Sequence, residues 1–266
     1  FSFVVLFTPI PLPVDKVTGV AFANSFAHLS GMILAIILFK IKKCPLGKRP
    51  HFFALKDIIR LGAPAGANCF SSTLAQTITA AFIAFLGVAI YNTKVYVANI
   101  VTFSYMASLA IGHAGSVFTG RYNGKRNFDA INSLYKRNVY MAVLSNVAIS
   151  TAVFLLHKPL IGVFTRDAET IRLAVQIMLI DIAVEAFRAI NNVSDVALNA
   201  NGDVKITLAS SALACWLCSV LLSYVLGRKL GLGLSGIWLA FLADEALKAV
   251  LYIFRWKSQK WRYIKI

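Results

Sequence analysis

The stretch Ile171–Leu198, IRLAVQIMLIDIAVEAFRAINNVSDVAL, decides how the rest of the chain is read. It is long enough to cross a bilayer as one helix, because about 20 residues at about 1.5 Å each span the hydrocarbon core. Yet it carries Asp181, Glu185, Arg188, Asn192 and Asp195, at successive spacings of 4, 3, 4 and 3 residues. At about 100° per residue, these five positions fall within an arc of about 80°. One wall of a membrane helix is therefore polar and charged. An ionised side chain at bilayer depth costs on the order of 3 kcal/mol, so such a wall must face partner groups or a water-filled cavity. The stretch predicts a polar pathway between helices.

Outward from it, the composition sets the class. Of 266 residues, 58% are hydrophobic and only 14% are charged, which exceeds what a soluble domain of this size carries. The expected fold is an all-α polytopic membrane protein. Apolar runs at roughly 17 to 39, 62 to 86, 95 to 118, 138 to 156, 171 to 198, 207 to 226 and 235 to 255 predict seven transmembrane helices. Phe1–Phe7 is too short to span, and Pro9, Pro11 and Pro13 end any helix arriving there. That segment reads as the stump of an eighth helix, so the chain is expected to be truncated at its N-terminus.

The formal charge of +16 distributes along the spans rather than into one patch. Eighteen Lys and Arg residues fall in one set of alternate loops and the tail, among them Lys40, Lys42, Lys43, Lys48, Arg121, Lys125, Arg137, Lys205, Arg255 and Lys265. Seven, including Lys16, Lys94, Lys158 and Arg172, fall on the other side. The positive-inside rule then places the C-terminus in the cytoplasm. Nucleic acid is excluded as a partner, because these bases flank membrane spans. Cys215 and Cys218 form a C-x-x-C inside an apolar run, where packing explains them better than zinc or redox chemistry; Cys44 and Cys69 carry no signal.

A weak self-similarity appears at an offset of 217, with Gly19-Val20-Ala21-Phe22-Ala23 facing Gly236-Ile237-Trp238-Leu239-Ala240 and Phe39-Lys40 facing Trp256-Lys257. Each copy opens a span that ends in a basic segment. A parallel repeat of six helices is the implied plan, as in several transporter folds.

Several segments resemble one family in order and spacing. They are Leu61-Gly62-Ala63-Pro64-Ala65, Gly120-Arg121-Tyr122-Asn123-Gly124, Phe164-Thr165-Arg166-Asp167, Glu185-Ala186-Phe187-Arg188 with Ala197–Asp203, and Gly231–Ala240 with Asp244-Glu245 and Arg255-Trp256. The chain resembles the C-terminal lobe of a multidrug and toxic compound extrusion (MATE) transporter, preceded by the last helix of the N-terminal lobe. The resemblance implies residues 1–45 as the end of the N-terminal lobe, 46–60 as a basic cytoplasmic linker between lobes and 61–266 as a six-helix C-terminal lobe. It also implies a bacterial inner membrane location and a missing N-terminal lobe as partner. The implied activity is secondary antiport of organic, cationic, amphipathic substrates against Na⁺ or H⁺ by rocking of two lobes.

Departures from the family pattern bear on the site. Where relatives place proline after the Glu of E-x-x-R, this chain has Ala186. Where many place a glutamate four residues after the Leu-Gly-x-Pro proline, it has Asn68, which can ligate a cation but cannot exchange a proton. Ser72, Gln76 and Thr79 continue that neutral polar face.

The candidate ion and substrate residues are Asp181, Glu185, Arg188, Asn192, Asn68, Ser72, Gln76, Asp244 and Lys248. For Asp181 and Glu185 the competing reading is a structural ion pair or a shared proton. Arg188 is expected to restrain carboxylates rather than touch a cationic substrate, and Asp195 to be solvated. Asp244 and Lys248 are an i,i+4 pair, Lys248 acting as a brake on Asp244. His113, among small neighbours, is a helix-to-helix hydrogen bonder or a proton site. No cofactor, metal cluster, phosphate-binding loop or nucleophile with its base is present in the pattern, so no enzyme activity is expected. Two alternatives remain: a lipid-linked oligosaccharide flippase of the same superfamily, which would favour cationic cavity residues, and a seven-helix receptor.

Overall fold

The computed structural model describes residues 16–41 and 52–263, with the side chains of 52–65 and a few positions before residue 40 excepted. The Phe1–Phe7 stump, its prolines, Cys44, much of the 46–60 linker and Lys265 lie outside the described residues. The chain divides into two compact units, 1–56 and 57–266. The first holds helix α1, Lys16–Ile41, with a continuous apolar run at Asn24–Leu38.

The second unit is built from long helices. These are α2 (Phe52–Phe85), α3 (Val88–Gly124), α4 (Phe128–Leu155), the short α5 (His157–Gly162), α6 (Ala168–Ala200), α7 (Val204–Ala214) and α8 (Gly233–Lys257). Helix α2 begins at Phe52, inside the stretch expected as linker, and only its final 29 residues belong to the second unit's span of 57–266. Beyond Ala214, α7 continues without a break as π-helix over Cys215–Leu222 and Tyr224–Lys229. Counted with that continuation, seven helices among the described residues exceed the length of a span. Three of them, Val88–Gly124, Phe128–Leu155 and Val204–Lys229, are also apolar enough to cross a membrane on composition alone. Helices α6 and α8 miss that measure because charged residues sit in their middles, which is the feature their sequences announce.

Local chemistry sets the joints. The Asn127 side chain accepts a hydrogen bond from Ala130 N and caps α4, and Asp167 accepts from Thr170 N at 2.8 Å to cap α6. The Thr170 amide and hydroxyl hold the Asp167 carboxyl below the usual carboxylate range. After α8, Gln259 turns the chain with φ of 58° into a 3₁₀ turn, Lys260–Tyr263. That turn returns Trp261 onto Trp256, where its ring stacks and its Nε1 donates to the Trp256 carbonyl.

Helix α6 is the axis of the unit, packing on α3, α4 and α8. A Cβ at Gly112 of α3 would lie 3.1 Å from the Asn192 carbonyl of α6, so the two backbones approach closely there. Two apolar cores stack along these helices. One gathers Val97, Ile100 and Val101 with Ile177, Met178, Val184, Ile237 and Trp238. The other gathers Ile131, Tyr135 and Ala142 with Val193, Leu198, Tyr252, Trp256 and Trp261. Between them, at one level, every packed helix turns polar: Ser104 and Ser108 on α3, Asn146 on α4, Asp181 to Asn192 on α6, and Asp244 to Lys248 on α8. Apolar, polar, apolar is the order expected of a helix bundle whose midpoint carries ions or solutes.

Candidate functional site

The polar level opens into a cavity of about 470 Å³. Its walls come from five helical segments. Helix α2 gives Ser72, Gln76 and Thr79, α3 gives Lys94, Thr102 and Tyr105, and α6 gives Asp181, Arg188 and Asn192. The π segment supplies Cys215 and Ser219, and α8 supplies Trp238, Asp244, Glu245 and Lys248. Seven of the nine candidate residues therefore meet at one place, although they were drawn from three separate spans.

Asp181 and Asp244 are the two carboxylates least provided for. Asp181 is 3% exposed; its Oδ1 accepts from Trp238 Nε1 at 3.1 Å, and its Oδ2 makes no hydrogen bond. Asp244 is ion-paired through Oδ2 with Lys248 at 2.6 Å, the i,i+4 pair that its spacing predicts. Ser219 lies beside this carboxylate, whose Oδ1 makes no hydrogen bond of ordinary geometry. A buried acceptor left without a donor costs on the order of 1 to 3 kcal/mol.

Arg188 ties the remaining acids together. It bonds Glu185 on its own helix and Glu245 of α8 at 3.4 Å, while its guanidinium lies 5.5 Å from the Tyr105 ring centre. Glu245 also accepts from Asn191 Nδ2 at 2.6 Å. Glu185 does not line the cavity. It is fully buried behind the wall, where Asn146 Nδ2 donates to Oε2 at 3.0 Å. Asn146 in turn reaches the Ser108 hydroxyl, which Asn192 Nδ2 also contacts at 2.9 Å. The wall is thus a bonded network running α4, α6, α3 and α8.

The stripe's two edges diverge for a geometric reason. Glu185, at one edge of the arc, swings behind α6 towards α4; Asp195, at the other edge, turns towards α8. Asp195 is hydrogen-bonded to Asn199 at 3.2 Å and to Tyr252 at 3.4 Å, rather than simply solvated. Asn68 lies one turn before Ser72, outside the cavity lining, with its Oδ1 buried and without a hydrogen bond. His113 is exposed on α3, outside the lining, and its side chain bonds no neighbouring helix among the described residues. Cys215 and Cys218 are both buried and unbridged.

Among the partners that escaped the sequence reading, Asn146 and Ser108 sit in largely apolar runs, Asn191 lies just off the stripe, and Trp238 and Tyr252 read as ordinary aromatics of a span. A solitary asparagine inside a span was the available signal for Asn146, because such a group needs a buried partner.

A bundle of apolar helices with a charged, partly unsatisfied chamber at its midpoint defines a polytopic membrane protein of the transporter kind. The MatE family model matches residues 64–225, well over half of the chain. The chain belongs to the MatE family, which sets aside the seven-helix receptor. It is 33% identical over 98% of its length to the uncharacterized transporter YisQ of Bacillus subtilis, and covers 58% of that protein. It is 25% identical to the probable multidrug resistance protein NorM of Thermotoga maritima, again over 98% of its length and 57% of the relative. The solved MATE transporter ClbM in complex with Rb⁺ superposes with a TM-score of 0.75 at 19% identity, over 98% of this chain and 58% of that one. The chain spans little more than half the length of these relatives. They are transporters, and this chain is an integral membrane protein rather than an enzyme.

Proposed function

We propose that the chain forms one lobe of a secondary active antiporter that exports organic, amphipathic cations in exchange for Na⁺ or H⁺. The observation that supports it most is the pair of carboxylates, Asp181 and Asp244, lining one cavity from different helices, each with a buried oxygen lacking an ordinary hydrogen bond. A proton, an alkali ion or an organic cation entering the chamber relieves the same unsatisfied acceptors. Cargo and coupling ion then compete for one set of charges, and competition is what links their opposite movements.

The neighbouring groups fit that role. Lys248 neutralises Asp244 when nothing is bound, and Arg188, bridging Glu185 and Glu245, offsets one of their two charges. Ser72, Gln76 and Thr79 supply neutral oxygens opposite. Tyr105, Trp238 and Phe241 offer flat apolar faces for the organic part of a cation. With His113 turned away and an asparagine at 68, proton exchange falls to Asp181 and Asp244. The ClbM complex with Rb⁺ makes an alkali ion a fitting second probe.

A complementary six-helix lobe completes the path, and rocking of the two lobes exposes the chamber to either side. The charge bias supports a cytoplasmic C-terminus, and the proposed setting is a bacterial inner membrane. The flippase reading receives less support, because Arg188 and Lys248 are already paired with carboxylates, which leaves Lys94 as the one lining cation without an ion pair among the described residues.

Export of ethidium from cells producing this lobe with its complementary half tests the reading. Asp181→Asn and Asp244→Asn should each slow export by roughly tenfold or more, the worth of one charged hydrogen bond. Unchanged export in both variants, under Na⁺ and pH gradients alike, would falsify it.

A further inference from the structure

A second concavity, a groove of about 430 Å³ between α4 and α8, shares no residue with the chamber. We propose that it binds one anionic phospholipid, with the phosphodiester held between Lys136 and Lys257 and an acyl chain lying along Val139, Val143 and Ile253.

The floor of the groove is fixed in advance. Tyr135 stacks on Trp256 with ring centres 3.8 Å apart, and Trp261 stacks on the far side of Trp256 at 4.5 Å. Each ring of the stack is pinned by a hydrogen bond: the Tyr135 hydroxyl with Ser194 at 2.8 Å, Trp256 Nε1 to Asn132 at 3.0 Å and Trp261 Nε1 to the Trp256 carbonyl at 3.1 Å. A rigid aromatic surface costs a ligand little ordering on arrival.

The two lysines are unmatched. Both are exposed, and among the described residues neither takes part in an ion pair. Of the acids near this end, Asp203 pairs with Arg255, Asp129 lies 3.7 Å from Arg262, and Asp195 is hydrogen-bonded to Tyr252 and Asn199. Among the described residues no carboxylate lines the groove, so none stands between the lysines to repel an anion.

Axial register identifies the anion as lipid. Val139, Val143 and Ile253 fall inside the apolar runs 138 to 156 and 235 to 255, whereas Lys136 and Lys257 fall just outside them. Aliphatic wall at hydrocarbon depth with paired ammonium groups at the boundary is the order of parts in a phospholipid itself. A soluble phosphate would use the lysines and leave the apolar wall uncovered.

The test uses the whole 266-residue chain in a neutral detergent, with bound lipid counted by native mass spectrometry during titration with phosphatidylglycerol, phosphatidylcholine or inorganic phosphate. One phosphatidylglycerol should be retained, phosphatidylcholine should not, and phosphate should neither bind nor displace the lipid. Lys136→Gln with Lys257→Gln should weaken retention roughly thirty-fold. The double Arg replacement should keep it, and Lys205→Gln, which removes an exposed charge elsewhere, should leave it unchanged. Equal retention by the double Gln variant overturns the proposal, as does an equal loss in Lys205→Gln. Displacement by phosphate would make the groove an anion site without a lipid.

Discussion

Replacing Arg188 with methionine tests whether the central network is held by charge. Arg188 is the counter-ion of Glu185, a carboxylate with no exposed surface, and also bonds Glu245 across to α8. Breaking a buried pair from one side costs about 3 to 5 kcal/mol, because the remaining ion stays desolvated. The Arg188 side chain retains 23% exposure, which argues for the lower end, about 3 kcal/mol. At about 2 to 4 °C per kcal/mol for a domain of this size, the unfolding temperature should fall by roughly 6 to 12 °C. Glu185→Gln in the same background removes the orphaned charge and keeps an acceptor for Asn146, so it should restore more than half of the loss. The assay is thermal unfolding in detergent followed by tryptophan fluorescence, comparing wild type, Arg188→Met and the double variant. A single variant that melts with the wild type would mean that Glu185 carries a proton and needs no counter-ion. A double variant as unstable as the single one would equally refute the argument, since packing rather than charge would then set the cost.

Arg255 bonds Asp203 through Nε at 2.5 Å and Nη2 at 3.2 Å, joining the end of α8 to the turn before α7. Arg255→Leu should cost about 3 kcal/mol and speed amide exchange at Val204 and Lys205, with Arg255→Lys recovering only part because it lacks the fork. A Cβ at Gly236 would lie 2.8 Å from the Leu226 carbonyl of the π segment, so Gly236→Ala should cost about 1 to 3 kcal/mol; an unfolding temperature unchanged from wild type would show that the contact yields freely. Asp167 is held below its usual range by Thr170, so its charge contributes stability that is full above about pH 3.9 and is lost as the pH falls through the depressed folded value. The difference in unfolding temperature between wild type and Asp167→Asn should thus be constant from pH 8 to about pH 5 and shrink only under strong acid; a difference that collapses near neutrality would contradict it.

The helical period made much of the site legible. Spacings of three and four residues put Asp181, Arg188 and Asn192 on one face, and the structure puts that face on the chamber. The same arithmetic could not say where the arc ends, because its limits depend on which neighbour stands beside α6. Glu185 and Asp195, at the two edges, were claimed by Asn146 and Tyr252 instead. The Asp244–Lys248 pair was readable because both partners share a helix, whereas Arg188–Glu245 needed the fold. The π winding after Ala214 had no signal: its sequence, CWLCSVLL, is as apolar and unbroken as any α-helical span. Helix α2 begins before the apolar run that starts at 62, because Lys56, Asp57 and Arg60 in its first turns carry no apolar signal.

The returning turn at Trp261 acts as a clasp on the last long helix. Trp261 is 1% exposed, and it backs the ring that floors the lipid groove. Trimming the chain at Ser258 would therefore strip a whole indole from Trp256 and leave the last turn of α8 free to fray. A purification handle belongs beyond Tyr263, and a protease that cuts at Lys257 or Lys260 should loosen the groove before it disturbs the chamber.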